Sequence, residues 1–160
     1  MSEAWVVNAS PLILFGRIDR LDLLERLAPT ILIPSAVLGE VRAGQDKDRT
    51  AATTLAWAEA YRVGDVAVPA SIEHWDLGPG ESQVIAHGVR GSRWAVLDDR
   101  AARRCAAAHN VPVIGSLGIV LRSKMNRQVD KARPLVSDLI GAGMFLDREF
   151  MDRVLTSIGE

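Results

Sequence analysis

Residues 5–18 read WVVNASPLILFGRI, and the order of residue types in this stretch decides the fold. Trp5, Val6 and Val7 are a short apolar run rich in β-branching, the pattern of a strand buried on both faces. The run stops at Asn8-Ala9-Ser10-Pro11. Serine before proline is a strong helix start, with Ser10 expected as N-cap and Pro11 at the first helical position. A helix from Leu12 to about Ile18 follows, and a second covers about Leu21 to Leu27.

The same alternation continues outward. Ile31, Leu32 and Ile33 form another strand that stops at Pro34, and Ser35 to Val41 then reads as helix. Gly44 to Asp48 is a polar turn before an alanine-rich helix from Arg49 to Tyr61. Val63 to Val68 is a weaker strand candidate closed by Pro69. Gly78-Pro79-Gly80 is the clearest breaker in the chain, and a helix from Glu81 to Val89 follows it. Trp94 to Leu97 is a strand ended by Asp98-Asp99, then Ala101 to His109 is helix. Val111 to Ile114 is a short strand, and Gly115-Ser116 opens a helix to about Met125. Short apolar strands alternating with helices predict an α/β fold, a central parallel sheet with helices on both faces. The tail, 130–158, carries two amphipathic helices separated near 141–143. With no repeat, low-complexity segment or linker, the expectation is a single domain over 1–160, with its core at about 5–125 and a helical C-terminal tail.

Composition bounds the function. The 160 residues suffice for one domain with a real core, and 48% hydrophobic with 24% charged residues is ordinary for a globular protein. Few aromatics (5%) argue against a stacking platform for single-stranded bases, and a net charge of −1 argues against a strongly basic, sequence-reading DNA binder. That charge argues less against a metallonuclease, whose ions supply local positive charge. One cysteine, Cys105, excludes an intrachain disulfide, and His74, His87 and His109 lack metal-ligand spacing, so no zinc site is expected. The start lacks a signal-peptide pattern and no apolar run approaches the roughly 18 residues of a membrane span. A cytoplasmic protein is expected.

In an open parallel sheet, sites form beyond the carboxyl ends of the strands. There the first strand delivers Asn8 and Ser10, and the Trp94 strand delivers Asp98 and Asp99. The helix after the second strand carries Glu40, and the Gly-Pro-Gly turn delivers Glu81 at a helix start. Two carboxylates about 5 Å apart at an effective dielectric near 20 repel by roughly 3 kcal/mol, so a cluster of them calls for a proton or a cation. All-oxygen ligands favour Mg²⁺ or Mn²⁺ over zinc, and such ions activate water in phosphodiester hydrolysis.

Each of these residues also has a plainer use. Ser10 and one of Asp98 and Asp99 would serve as helix caps, Glu81 complements a helix dipole, Asn8 suits a turn, and an isolated Glu40 is ordinarily solvated. Arg100, Arg103 and Arg104 form a basic stretch that would meet phosphates or simply face solvent. Cys105 and the histidines read as structural.

Several segments resemble the PIN-domain family, in particular the subgroup close to VapC-type toxin ribonucleases. They are VVNASPLILFGRIDRLDLLERL, ILIPSAVLGEV, LGPGESQVIAHG and VLDDRAARRCAAAHNVPVIGSLGIVLRSK, in family order over most of residues 5–125, and the tail RPLVSDLIGAGMFLDREFMDRVL. The resemblance implies that the four segments converge into the site of a magnesium-dependent ribonuclease with four acidic positions. Glu40 matches the second acid and Glu81 the third. Asp99 best matches the fourth, with Asp98 beside it as a second candidate, and Ser10 matches the small hydroxyl residue two positions after the first acid. Asn8 departs from the pattern, which has aspartate there; its carbonyl oxygen is a donor but carries no charge. The chain is thus expected to be a Mg²⁺- or Mn²⁺-dependent endoribonuclease, the toxin of a type II toxin–antitoxin pair, weakened or silenced at Asn8. The same resemblance implies a small antitoxin that inserts a peptide near the site, and a homodimer. The alternative is a non-catalytic module that binds RNA or protein. A small-molecule enzyme on a doubly wound sheet has little support, because neither GxGxxG nor GxxxxGK[ST] occurs.

Overall fold

A computed structural model describes residues 3–160, so residues 1 and 2 of the expected domain lie outside the described residues. In chain order the elements are β1 (Ala4–Val7), α1 (Ala9–Arg17), α2 (Asp22–Leu27), β2 (Thr30–Pro34), α3 (Ser35–Ala43) and α4 (Ala51–Glu59). They continue with β3 (Arg62–Val63), α5 (Ala70–Glu73), α6 (Pro79–Gly88), β4 (Arg93–Val96), α7 (Arg100–Ala108) and β5 (Val113–Ile114). The last three are α8 (Ser116–Met125), α9 (Arg133–Gly141) and α10 (Arg148–Ser157). A single 3-10 turn, Gln45–Lys47, occupies the polar stretch before α4.

The five strands form one parallel sheet in the order β3-β2-β1-β4-β5. Consecutive residues Trp5, Val6 and Val7 are all buried, as are Ala95, Val96 and Leu97. Since neighbouring strand residues point to opposite faces, burial of both parities means that helices cover the sheet on its two sides. The large side chains closing this core include Leu12 and Phe15 of α1, Leu38 of α3, Ile85 of α6 and Leu139 of α9, all fully buried.

From β1 the chain winds out through β2 to β3 and then returns to place β4 on the other side of β1. Connections therefore run in opposite directions from the β1/β4 pair, and the crevice beyond the ends of those strands is the topological switch point. The pairing Val7↔Val96 sets the register there, so Asn8 follows β1 at the same level at which Leu97, Asp98 and Asp99 follow β4.

Two local expectations need correction. The helix after β1 starts at Ala9 with Asn8 as N-cap, so Ser10 does not cap it and Pro11 sits at the third helical position. Proline remains harmless there, because the first-turn amides have no intrahelical acceptor. The 63–68 strand shrinks to Arg62–Val63. Beyond it, buried side chains of α6 replace a neighbouring strand: Gln83 accepts from the Val66 amide at 2.9 Å and donates to the Val66 carbonyl at 2.7 Å. His87 Nε2 bonds the Gly64 carbonyl oxygen at 3.0 Å. The short helix α5, following Pro69, had no counterpart in the sequence reading.

Candidate functional site

Asn8 ends β1, and its amide donates to the Val96 carbonyl at 3.2 Å, which locks the start of α1 to β4. Its side chain makes no cap bond although the residue is only 4% exposed. Among the described residues Asn8 Oδ1 is the one buried side-chain polar atom without a hydrogen-bond partner. An orphaned acceptor of this kind costs about 1–3 kcal/mol and marks a place where a donor or cation fits.

Glu40 lies on α3. Its Oε1 accepts from the Gly80 amide at 2.8 Å, at the N-terminal end of α6. Glycine at position 80 makes this approach possible, because a Cβ there would stand 2.7 Å from both carboxylate oxygens. Glu81 follows in the first turn of α6, after Pro79 at its start. Burial pushes the Glu81 carboxyl above the usual carboxylate range, and the charges of Asp99 and then Glu40 add to the shift; the Gly78 amide opposes it. The structure thus brings Asp99 and Glu40 each within electrostatic reach of Glu81.

The two aspartates after β4 are used differently. Asp99 caps α7, its Oδ2 accepting from the Ala102 amide at 2.9 Å. Asp98 is held at both oxygens: Oδ1 accepts from the Ser116 amide at 2.7 Å and Oδ2 from the Ser116 hydroxyl at 2.7 Å. The Ser10 hydroxyl adds a longer bond to Asp98 Oδ2 at 3.4 Å. Ser10 therefore belongs to the site through Asp98 rather than through the helix end. Ser116 is fully buried, and sequence reasoning saw it only as part of a helix start.

All six expected residues, Asn8, Ser10, Glu40, Glu81, Asp98 and Asp99, line one cleft of about 1390 Å³. Of its other walls, the sequence offers only Arg100, Arg103 and Arg104, as a basic stretch that would meet phosphates or face solvent. Arg100, Arg103 and Arg104 form a basic ridge along α7, Arg17 joins from α1, and Phe145 and Phe150 stand at an apolar end. Arg17 is already paired with Asp48 at 2.8 Å. Phe145 is 97% exposed, although nothing in its sequence context sets it apart from a core aromatic.

The donor set is all oxygen, neutral at Asn8 and anionic at Glu40, Glu81 and Asp99, which suits a hard divalent cation rather than zinc. Among the described residues no three Asp, Glu, His or Cys side chains are gathered tightly enough to hold an ion as they stand. Glu40 and Asp99 are each hydrogen-bonded to a helix amide, Glu40 to that of Gly80 and Asp99 to that of Ala102. Among the described residues neither carboxylate has a hydrogen bond at its second oxygen.

Cys105 and His87 are buried away from this chemistry. Burial raises the Cys105 thiol and lowers the His87 imidazole. His109 bonds the Ser71 hydroxyl at 3.0 Å and the Cys105 carbonyl at 2.7 Å.

A parallel sheet with an acidic crevice at its switch point defines a class of α/β domain in which the strand ends present ligands. A family model described as PIN domain matches residues 4–160, and the chain belongs to the PIN-domain family. This is a nuclease fold family whose members generally use divalent metal ions and bind nucleic acid. No curated protein matches the chain at a significant level. Among the described residues no helix is long and apolar enough to cross a membrane.

Proposed function

We propose that this PIN domain is a Mg²⁺- or Mn²⁺-dependent endoribonuclease, the VapC-type toxin of a type II toxin–antitoxin pair, with activity weakened or silenced by Asn8. The observation that carries the reading is the orphaned Oδ1 of Asn8, buried in the same cleft as Glu81, on which the charges of Asp99 and Glu40 act. Asn8, Glu40, Glu81 and Asp99 would hold the ion; Asp98, saturated by Ser116 and Ser10, would stand beside it and fix the end of β4. When bound, a divalent ion supplies positive charge against the phosphate and eases ionisation of an attacking water. The protein's own part is to hold the acids at four strand and helix ends, keep Ser10 and Ser116 fixed on Asp98, and orient the RNA backbone.

The apolar end of the cleft, with Phe145 almost wholly exposed, supports a protein partner there, a small antitoxin segment entering beside the acids. Homodimerisation and a cytoplasmic location follow from the VapC likeness.

A second reading is a non-catalytic PIN module that binds RNA or protein. It is favoured by the neutral amide at position 8 and because, among the described residues, no three acids are gathered tightly enough to hold an ion. Titrating Mg²⁺ or Mn²⁺ into this chain and into Asn8→Asp, while following melting temperature and cleavage of labelled RNA, separates the two. The nuclease reading expects Asn8→Asp to bind metal more tightly, cleave faster and be less stable without metal. RNA binding with no cleavage by either form, at any metal concentration, establishes the module. If Asn8→Asp alters neither metal affinity nor cleavage, Asn8 is not a ligand.

A further inference from the structure

One residue of the α7 ridge is placed unlike its neighbours. Arg103 Nη1 donates to the Leu97 carbonyl at 3.3 Å, on the residue just before Asp98 and Asp99. The guanidinium occupies space that any side chain at position 115 would fill: a Cβ on Gly115 would lie 2.4 Å from Arg103 Nη1 and 3.1 Å from Asp98 Oδ1. Gly115 has an ordinary backbone, φ −100° and ψ 176°, so its use here is the missing side chain. Among the described residues no carboxylate lies within ion-pairing distance of Arg103, whereas Arg17 in the same cleft is spent on Asp48. A cation anchored at one nitrogen, with most of its donors uncommitted, therefore borders a crevice of carboxylates without a direct ion pair to any of them among the described residues.

Carboxylates repel a phosphodiester, so an RNA-cleaving cleft needs fixed positive charge beside them. The planar guanidinium fork suits phosphate oxygens. We propose that Arg103 binds a non-bridging phosphate oxygen of the RNA strand at the acidic end of the cleft, in a position set by Gly115; this rests on the nuclease reading above. Arg100 and Arg104, on the same ridge, extend the track for neighbouring phosphates. The competing role for Arg103 is a brace on the Leu97 carbonyl, which would affect stability and not RNA.

The test is binding of a fluorescein-labelled single-stranded RNA to the full chain, with Ca²⁺ in place of Mg²⁺, across a series of salt concentrations. Arg103→Ala is expected to weaken binding about tenfold and to flatten the slope of log affinity against log salt by about 0.7, the loss of one phosphate contact. Gly115→Ala, which keeps the arginine but takes its space, should reproduce most of both effects. Arg103→Lys should keep the slope while weakening binding, because it retains the charge and loses the fork. Arg122→Ala, whose guanidinium lies 4.7 Å over the Trp94 ring, should change neither. Unchanged affinity and slope in Arg103→Ala overturn the inference, and a lowered melting temperature alongside them identifies the brace. If the unaltered chain binds no RNA, the nuclease reading falls with it; if it binds and cleaves while Arg103→Ala does so equally, only the role of Arg103 is lost.

Discussion

The Gly80 amide donates to Glu40 Oε1 at 2.8 Å, tying the start of α6 to α3 across 40 residues of chain. This one bond places Glu40 next to Glu81. Because a Cβ at position 80 would stand 2.7 Å from both Glu40 oxygens, Gly80→Ala must push the carboxylate aside. The end of a glutamate is flexible, so the domain should still fold, with a melting temperature a few degrees lower. Thermal melts with and without Mn²⁺ should show the metal-induced rise in the parent and its loss in the variant. An undiminished rise in Gly80→Ala would remove Glu40 from the metal site.

Glu81 gives a pH dependence with a definite sign. Its carboxyl titrates above the ordinary value because of burial and then the charges of Asp99 and Glu40. Stability from the protonated form is therefore present below the unfolded value and lost as pH rises through the folded one. Glu81→Gln should accordingly raise the melting temperature of the metal-free protein at neutral pH, and the gap should close on acidification. With saturating Mn²⁺ the order should reverse. A neutral-pH gap of zero in EDTA would mean that neither burial nor the neighbouring acids disfavour the charged Glu81.

Glu160 behaves oppositely. Burial alone would raise its carboxyl, but hydrogen bonds from the Lys124 ammonium and the amides of Ala132 and Arg133 outweigh it, and the pKa falls to about 2. Its contribution is thus complete above the ordinary value of 4.5 and is lost as pH falls through about 2. Glu160→Gln should lower the urea denaturation midpoint at pH 7, and the two proteins should converge in acid. A constant difference down to pH 2 would assign the loss to packing instead of charge.

Ser116→Ala tests the brace at the end of β4. The serine is fully buried and its hydroxyl meets Asp98 Oδ2 at 2.7 Å. Loss of a hydrogen bond to a charged group costs about 2 kcal/mol, so the denaturation midpoint should fall with its slope unchanged. A neutral substitution would show that the Ser116 amide and Ser10 hold Asp98 without it.

Much of this protein was legible one residue type at a time. The apolar runs at Trp5–Val7, Ile31–Ile33 and Trp94–Leu97 are strands within a residue or so of their expected limits. Chains buried on both faces of a parallel sheet cannot alternate polar residues, so their signal is local and strong. Asn8, Asp98 and Asp99 were visible at the strand ends because helix starts select Asp, Asn and Ser, whereas Glu40, inside α3, rested on the family resemblance. Where Gln83 and His87 substitute for a strand beside Val66 and Gly64, the pattern was misread, because a buried polar side chain looks like a surface one until its partner is known.

By itself, then, the sequence determined the alternation of strands and helices, the parallel sheet and the set of residues eligible for the crevice. Only the tertiary structure decided which amide each carboxylate turns to, that Asn8 Oδ1 is left without one, and that Arg103 rather than Arg17 stays unpaired. Local propensity depends on a residue and its near neighbours, whereas hydrogen-bond partners and charge separations depend on strand order and register, which bring together residues as distant as Ser10 and Asp98.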